Sequence, residues 1–197
     1  MTTYLPSGGE LVELSASLKG GTVTTFSPSG KELVELSGSG DGNGSVRTYS
    51  PSGKELVALG GSENGEGVVR TYLSSGKDLV ALGATVNGEG AVRTYSTSGE
   101  PLVELGTADN GGSVTTFSPS GKELVALGSA GNGKGSVTTY SSSGKSLVNL
   151  GSTSNGGGIR VFNEAGEGIV SAVADDYGNG EVGAWNRKGE GRTLESK

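Results

Sequence analysis

Residues able to do chemistry recur along this chain at nearly fixed spacing, and the recurrence limits what that chemistry can be. Asp41-Gly42-Asn43-Gly44 and Asp109-Asn110-Gly111-Gly112 are shaped like the calcium loops of β-rolls. Such loops need carboxylates at the same positions in every turn. The equivalent loops here carry Glu63 and Glu66, then Glu89 alone, then Lys134, then no charge across 155–158. No metal site is expected on that spacing, and Asp175-Asp176 reads as a solvated turn. Gly65-Glu66-Gly67, Gly88-Glu89-Gly90 and Gly133-Lys134-Gly135 resemble phosphate loops only superficially, because none opens a helix. Glu32, Glu55, Asp78 and Glu123 each follow a lysine. Glycoside cleavage needs two acids in unequal environments in a cleft, and evenly repeated acids do not supply them. The chain has no His and no Cys, which removes imidazole and thiolate chemistry. No catalytic residue, cofactor or metal is expected, and the chain reads as non-enzymatic.

Two ladders remain. Thr25, Thr48, Thr71, Thr94, Thr116 and Thr139 form one, suited to strands by β-propensity and cross-strand threonine pairing. Tyr49, Tyr72, Tyr95 and Tyr140, with Phe26 and Phe117, form an aromatic row. The favoured reading is an inward row that forms core. If exposed, it could stack on sugar rings or on another copy. With Trp185, these tyrosines are the candidate assembly or surface contacts.

The ladders follow a tandem repeat. The first Leu of a Leu-Val-x-Leu element falls at Leu11, Leu33, Leu56, Leu79, Leu102, Leu124 and Leu147, with Ile169 in the same place. A second element runs from Val23 to Phe26, Val46 to Tyr49, Val69 to Tyr72, and onward to Val182 and Trp185. Both elements have strand length and β-branched or aromatic character. The joint Ser50-Pro51-Ser52-Gly53 predicts a type I turn closed by a left-handed glycine. The Asn-Gly of the other joint tolerates positive φ at both residues and predicts a second reversal. The expected fold is all-β: about 8.5 hairpin repeats in an antiparallel meander or β-prism fibre, with a single-chain parallel solenoid as the alternative. The meander is preferred because it separates Arg47, Arg70 and Arg93 by an intervening strand, where a solenoid would stack them. Residues 1–163 form the repeat region, and 164–197 a degenerate last repeat and cap. Thr3-Tyr4-Leu5-Pro6-Ser7-Gly8 matches Thr48 to Gly53, so the chain opens in mid-repeat. That opening suggests a trimmed piece, or an edge open to strand addition.

Composition bears on partners. Glycine takes 39 of 197 residues, far above the usual ~7%, and large apolar side chains are scarce. Such a sheet cannot bury its apolar face alone, so a homo-oligomer is expected. A trimer stands ahead of a stacked two-sheet dimer and a curled monomer, with end-to-end polymerisation open. A net charge of −6 argues against nucleic acid. No apolar run is long enough for a transmembrane helix.

The motif Gly-x-Val-x-x-Tyr…Ser-Gly-Lys-x-Leu-Val-x-Leu-Gly, with the closing tract from Tyr177 through Trp185 to Leu194, resembles a group of uncharacterised bacterial glycine-rich repeat proteins. That resemblance spans nearly the whole chain and implies no activity and no catalytic residues. More loosely, the repeats look like shaft segments of trimeric viral tail fibres, a likeness that implies architecture only. The functional expectation is a self-assembling shaft or filament subunit, at the cell surface or outside the cell. A polysaccharide- or surface-binding module is the alternative, and a designed consensus repeat without a ligand a third.

Overall fold

The structure, a computed structural model, describes residues 1–18, 20–38, 42–62, 64–85, 87–108, 111–129 and 133–195. The chain divides into two units, Met1–Glu100 and Pro101–Lys197. The first holds β1 (Thr2–Tyr4), β2 (Glu10–Ser17), β3 (Gly20–Phe26), β4 (Glu32–Gly38), β5 (Gly44–Tyr49), β6 (Glu55–Gly61), β7 (Gly67–Tyr72), β8 (Asp78–Ala84) and β9 (Gly90–Tyr95). The second holds β10 (Pro101–Ala108), β11 (Gly111–Phe117), β12 (Glu123–Ser129), β13 (Gly135–Tyr140), β14 (Ser146–Ser152), β15 (Gly157–Phe162), β16 (Gly168–Ala174), β17 (Gly180–Trp185) and β18 (Gly191–Glu195).

Within each unit every strand pairs antiparallel with the next in sequence. The architecture is therefore the expected hairpin meander, and the parallel solenoid is not formed. The register explains why. Arg47 faces Ala58, Ala58 faces Arg70, Arg70 faces Ala81 and Ala81 faces Arg93. Each arginine thus sits beside alanine, avoiding the like-charge neighbours that destabilise a ladder.

The first joint has the predicted geometry. Ser50 N donates to Lys54 O at 2.7 Å, and Gly53 N to Ser50 O at 2.8 Å. Gly53 closes the turn at φ 79°, a left-handed conformation that glycine adopts without a Cβ clash. A bulge follows: Thr48 pairs with Val57 but Tyr49 with Glu55, leaving Leu56 as the extra residue.

The Asn-Gly joint departs from expectation. Ser62 N donates to Glu66 O and Gly65 N to Ser62 O, the same pattern as the first joint. Gly65 alone is left-handed, at φ 87°, and no described non-glycine residue has positive φ. Asn43 and Asn179 come after the left-handed glycines Gly42 and Gly178. Asparagine therefore does not supply the reversal. Many of these turns add an oxygen acceptor on the first turn residue, although Leu5 and Leu73 hold that place with the same backbone bonds and no such acceptor. Ser50 Oγ accepts from Lys54 N at 3.1 Å, Ser62 Oγ from Glu66 N at 3.2 Å, and Thr85 Oγ1 from Glu89 N at 3.3 Å. Asn163, Asp175 and Asn186 serve the same role in the last turns, at 3.0, 2.7 and 3.0 Å.

Parity assigns the faces. Val46, Thr48, Val57 and Leu59 share one face with Leu36 and Val34; Glu35, Arg47, Tyr49 and Ala58 lie on the other. No described apolar side chain is buried. The tyrosine row is half-buried and sits on the charged face, so it does not form the enclosed core that an inward row would have made. Gly53→Ala should destabilise by roughly 1–2 kcal/mol. Gly67→Ala, with ordinary φ and nothing within 4 Å of an added Cβ, should change stability by only a few tenths, about zero to slightly stabilising. Urea unfolding of both variants distinguishes a conformational requirement from a general need for glycine.

Candidate functional surfaces

The charged face of Met1–Glu100 is built by β4 to β9. Its polar groups come from strand interiors and hairpin starts, which the register brings together. Tyr49 donates its hydroxyl proton to Glu35 Oε2 at 2.9 Å. Arg47 Nε lies 3.5 Å from Glu55 Oε1, and Arg70 Nη1 3.9 Å from Asp78 Oδ2. These partners lie across the bulge, so the sequence, in which Glu55 stands next to Lys54, gave no sign of them. Both ion pairs are partly exposed and each contributes at most ~1 kcal/mol. Burial, then the Glu35 hydrogen bond and charge, push the Tyr49 phenol up to about 12, with Arg47 opposing. Burial and the Glu55 charge also raise Tyr72.

Small residues open hollows between these groups. One, of about 490 Å³, is lined by Arg47, Ala58, Gly60, Arg70 and Tyr72. Its counterpart one repeat on, about 100 Å³, is lined by Arg70, Ala81, Gly83, Arg93 and Tyr95. In the second unit Tyr140 holds the same repeat position, and the arginine positions are taken by Thr115, Thr138 and Arg160. Trp185 lies over Gly183 and Gly191, where an added Cβ would strike its indole ring. The tyrosines therefore share a face within each unit. Trp185 belongs to the second unit, and Tyr49, Tyr72 and Tyr95 to the first.

The lysines do something the sequence did not reveal. Lys54 Nζ reaches Ser74 O in the next hairpin turn. Lys77 Nζ reaches Ser98 O at 2.6 Å, Lys122 Nζ reaches Ser142 O at 2.6 Å, and Lys145 Nζ reaches Ala165 O at 2.7 Å. Each lysine thus ties its turn to the turn one repeat ahead.

The opposite face is uncharged over most of its extent. In the second unit one row runs Leu105, Val114, Leu127, Val137, Leu150, Ile159. Beside it, two residues along each strand, runs a row of small residues: Ser129 with Gly135, Ser152 with Gly157, Ala174 with Gly180. A groove of about 790 Å³ lies along this face.

Asp175 Oδ1 accepts from Tyr177 N at 2.9 Å and Asn179 N at 2.7 Å, and the Asn179 bond leads in holding its carboxyl below the usual range. Those bonds account for it as a turn residue. Among the described residues no group of three or more acids stands close enough to hold a metal ion. Asp41, Glu63, Asp109 and Asn110 lie outside the described residues.

No family model matches the chain, and no curated protein does. Among solved structures, the chain is similar to a porin-like protein from Bacteroides uniformis at 12% identity and a TM-score of 0.24. The match covers 93% of this chain and 91% of that one. At that score the likeness carries no argument about fold or function. No described helix is long and apolar enough to cross a membrane.

An alkaline titration followed by tyrosinate absorbance tests the Tyr49 environment. The wild type should show a tyrosine ionising near 12 that Tyr49→Phe removes. The sign follows from a folded value above the unfolded 10.0. The neutral phenol's stabilisation is complete below about 10 and is lost as pH rises toward 12. A separate check uses the lone tryptophan. Gly183→Val should displace the Trp185 ring and shift its fluorescence.

Proposed function

We propose that this chain is a non-enzymatic structural repeat protein that assembles with copies of itself into a shaft or filament, at the cell surface or outside the cell. One observation carries the reading: no described apolar side chain is buried, although one face of each unit is lined with Val and Leu. A layer of sheet is stable when its apolar face is covered by a second layer, and within either unit every strand pairs in a single meander. Copies of the same chain supply that second layer, whether as a trimeric prism or a stacked pair. The lysine ties and hydrogen-bonded turns join each repeat to its neighbours, as stiffness in a repeat array requires.

The second reading, polysaccharide binding, is favoured by the repeating hollows in which Tyr72 or Tyr95 stands beside arginine over Gly and Ala. A tyrosine face next to guanidinium and carboxylate groups can stack on a sugar ring and bond its hydroxyls.

Mass measurement with negative-stain microscopy should show oligomers and rods or threads. Discrete particles of the 19.5 kDa monomer would defeat the structural reading. A glycan array with Tyr72→Ala and Trp185→Ala distinguishes the second reading. A specific signal lost on either change supports binding; no signal, with oligomers intact, leaves structure as the role.

A further inference from the structure

We propose that the uncharged face of Pro101–Lys197 is the docking surface for a second copy of the chain, whose leucine–valine ridge seats in the small-residue trough beside it. This inference rests on the self-assembly reading and names the surface that performs it.

The ridge is exposed to a degree unusual for leucine: Leu127 keeps 50% of its surface, Leu150 47% and Ile159 42%. The trough runs parallel to it, one side-chain row away on the same face. Gly135 and Gly157 form its floor, and a Cβ added at either would meet nothing within 4 Å. Ridge and trough are thus complementary in shape, about 7 Å apart along the strands. A two-fold axis midway between two facing sheets, parallel to the rows and between them, lays each ridge over the other copy's trough. That is the self-complementary arrangement of an isologous contact.

Area and charge point the same way. The nine strands of this unit, at ~4.8 Å spacing and about seven residues of ~3.4 Å each, give the face roughly 1,000 Å², the lower end of what each partner gives to an obligate homodimer. From β11 to β17 the two rows carry no charged side chain, so covering them desolvates no ion. A bilayer fits less well. Three rows such as Val125, Leu127 and Ser129 span about 14 Å, against the ~25 Å apolar band of a membrane barrel.

The test compares the whole wild-type chain with two double variants by sedimentation, with circular dichroism to verify folding. Leu127→Lys with Leu150→Lys charges the ridge. Gly135→Thr with Gly157→Thr fills the trough without a clash inside the chain, and threonine suits a strand. Each pair should weaken association on the order of 100-fold or more, while Thr138→Lys on the opposite face, between Ala126 and Asn149, leaves it unchanged. If the ridge variant fails to fold, the trough variant decides alone. Wild-type-like association of the folded trough variant overturns the docking surface and leaves self-assembly standing. A wild-type chain that stays monomeric overturns both, and one that instead floats with phosphatidylcholine vesicles assigns the face to lipid.

Discussion

Cross-strand pairing between neighbouring hairpins is the interaction on which everything else here depends. In most domains the ladder of backbone hydrogen bonds is reinforced by side chains removed from water on at least one face. Among the described residues of this chain, that reinforcement is missing. The backbone ladder, the paired side chains on each face and the turns therefore carry the units. Side-chain pairs contribute roughly 0.2–1 kcal/mol each, so their repetition matters more than any single one. This explains the strictness of the turns. A misplaced reversal would slip the register and send every apolar side chain to the wrong face.

The two faces answer different physical demands. On one, charges are spaced by alanine and neutralised across the bulge by Glu55 and Asp78, so the arginine row exists without self-repulsion. The other is free of ions across most of its strands and alternates ridge with trough. A surface of this second kind is costly to leave in water and cheap to cover, which is why assembly and not catalysis organises the functional reading. The hollows on the charged face are the feature that favours glycan recognition as the second reading. Tyr49, in the same row as the Tyr72 and Tyr95 that line them, gives its hydroxyl proton to Glu35.

The C-terminal region shows how far the residues can drift while the physics persists. After Val170, Ser171-Ala172-Val173 replaces the usual x-Leu-Gly, yet Ala172 still pairs with Ile159 and Val182. Asn163, Asp175 and Asn186 replace serine at the first turn position and still accept the same backbone proton. What looks degenerate by residue identity is continuous by hydrogen bonding.

Much of this was legible in the sequence because period and alternation are local properties. The repeat length, the strands, the Ser-Pro-Ser-Gly turn and the separation of Val46 and Thr48 from Arg47 and Tyr49 all follow from spacing along one chain. The misreading of Asn-Gly was also local: that dipeptide suits positive φ at both residues, but the acceptor on Ser62 stabilises a turn in which only Gly65 needs it. What one strand does opposite another could not be read in this way. Bulges at Leu56 and its equivalents shift the register by a residue, and that shift brings Glu55 to Arg47. The same tertiary pairing carries Lys54 to the next turn and sets Leu59 beside Val46 on the uncharged face. The sequence by itself determined a hairpin meander short of core. Only the tertiary structure decided which side chains meet across strands on each face, because those pairings depend on the inter-strand register, which no single repeat contains.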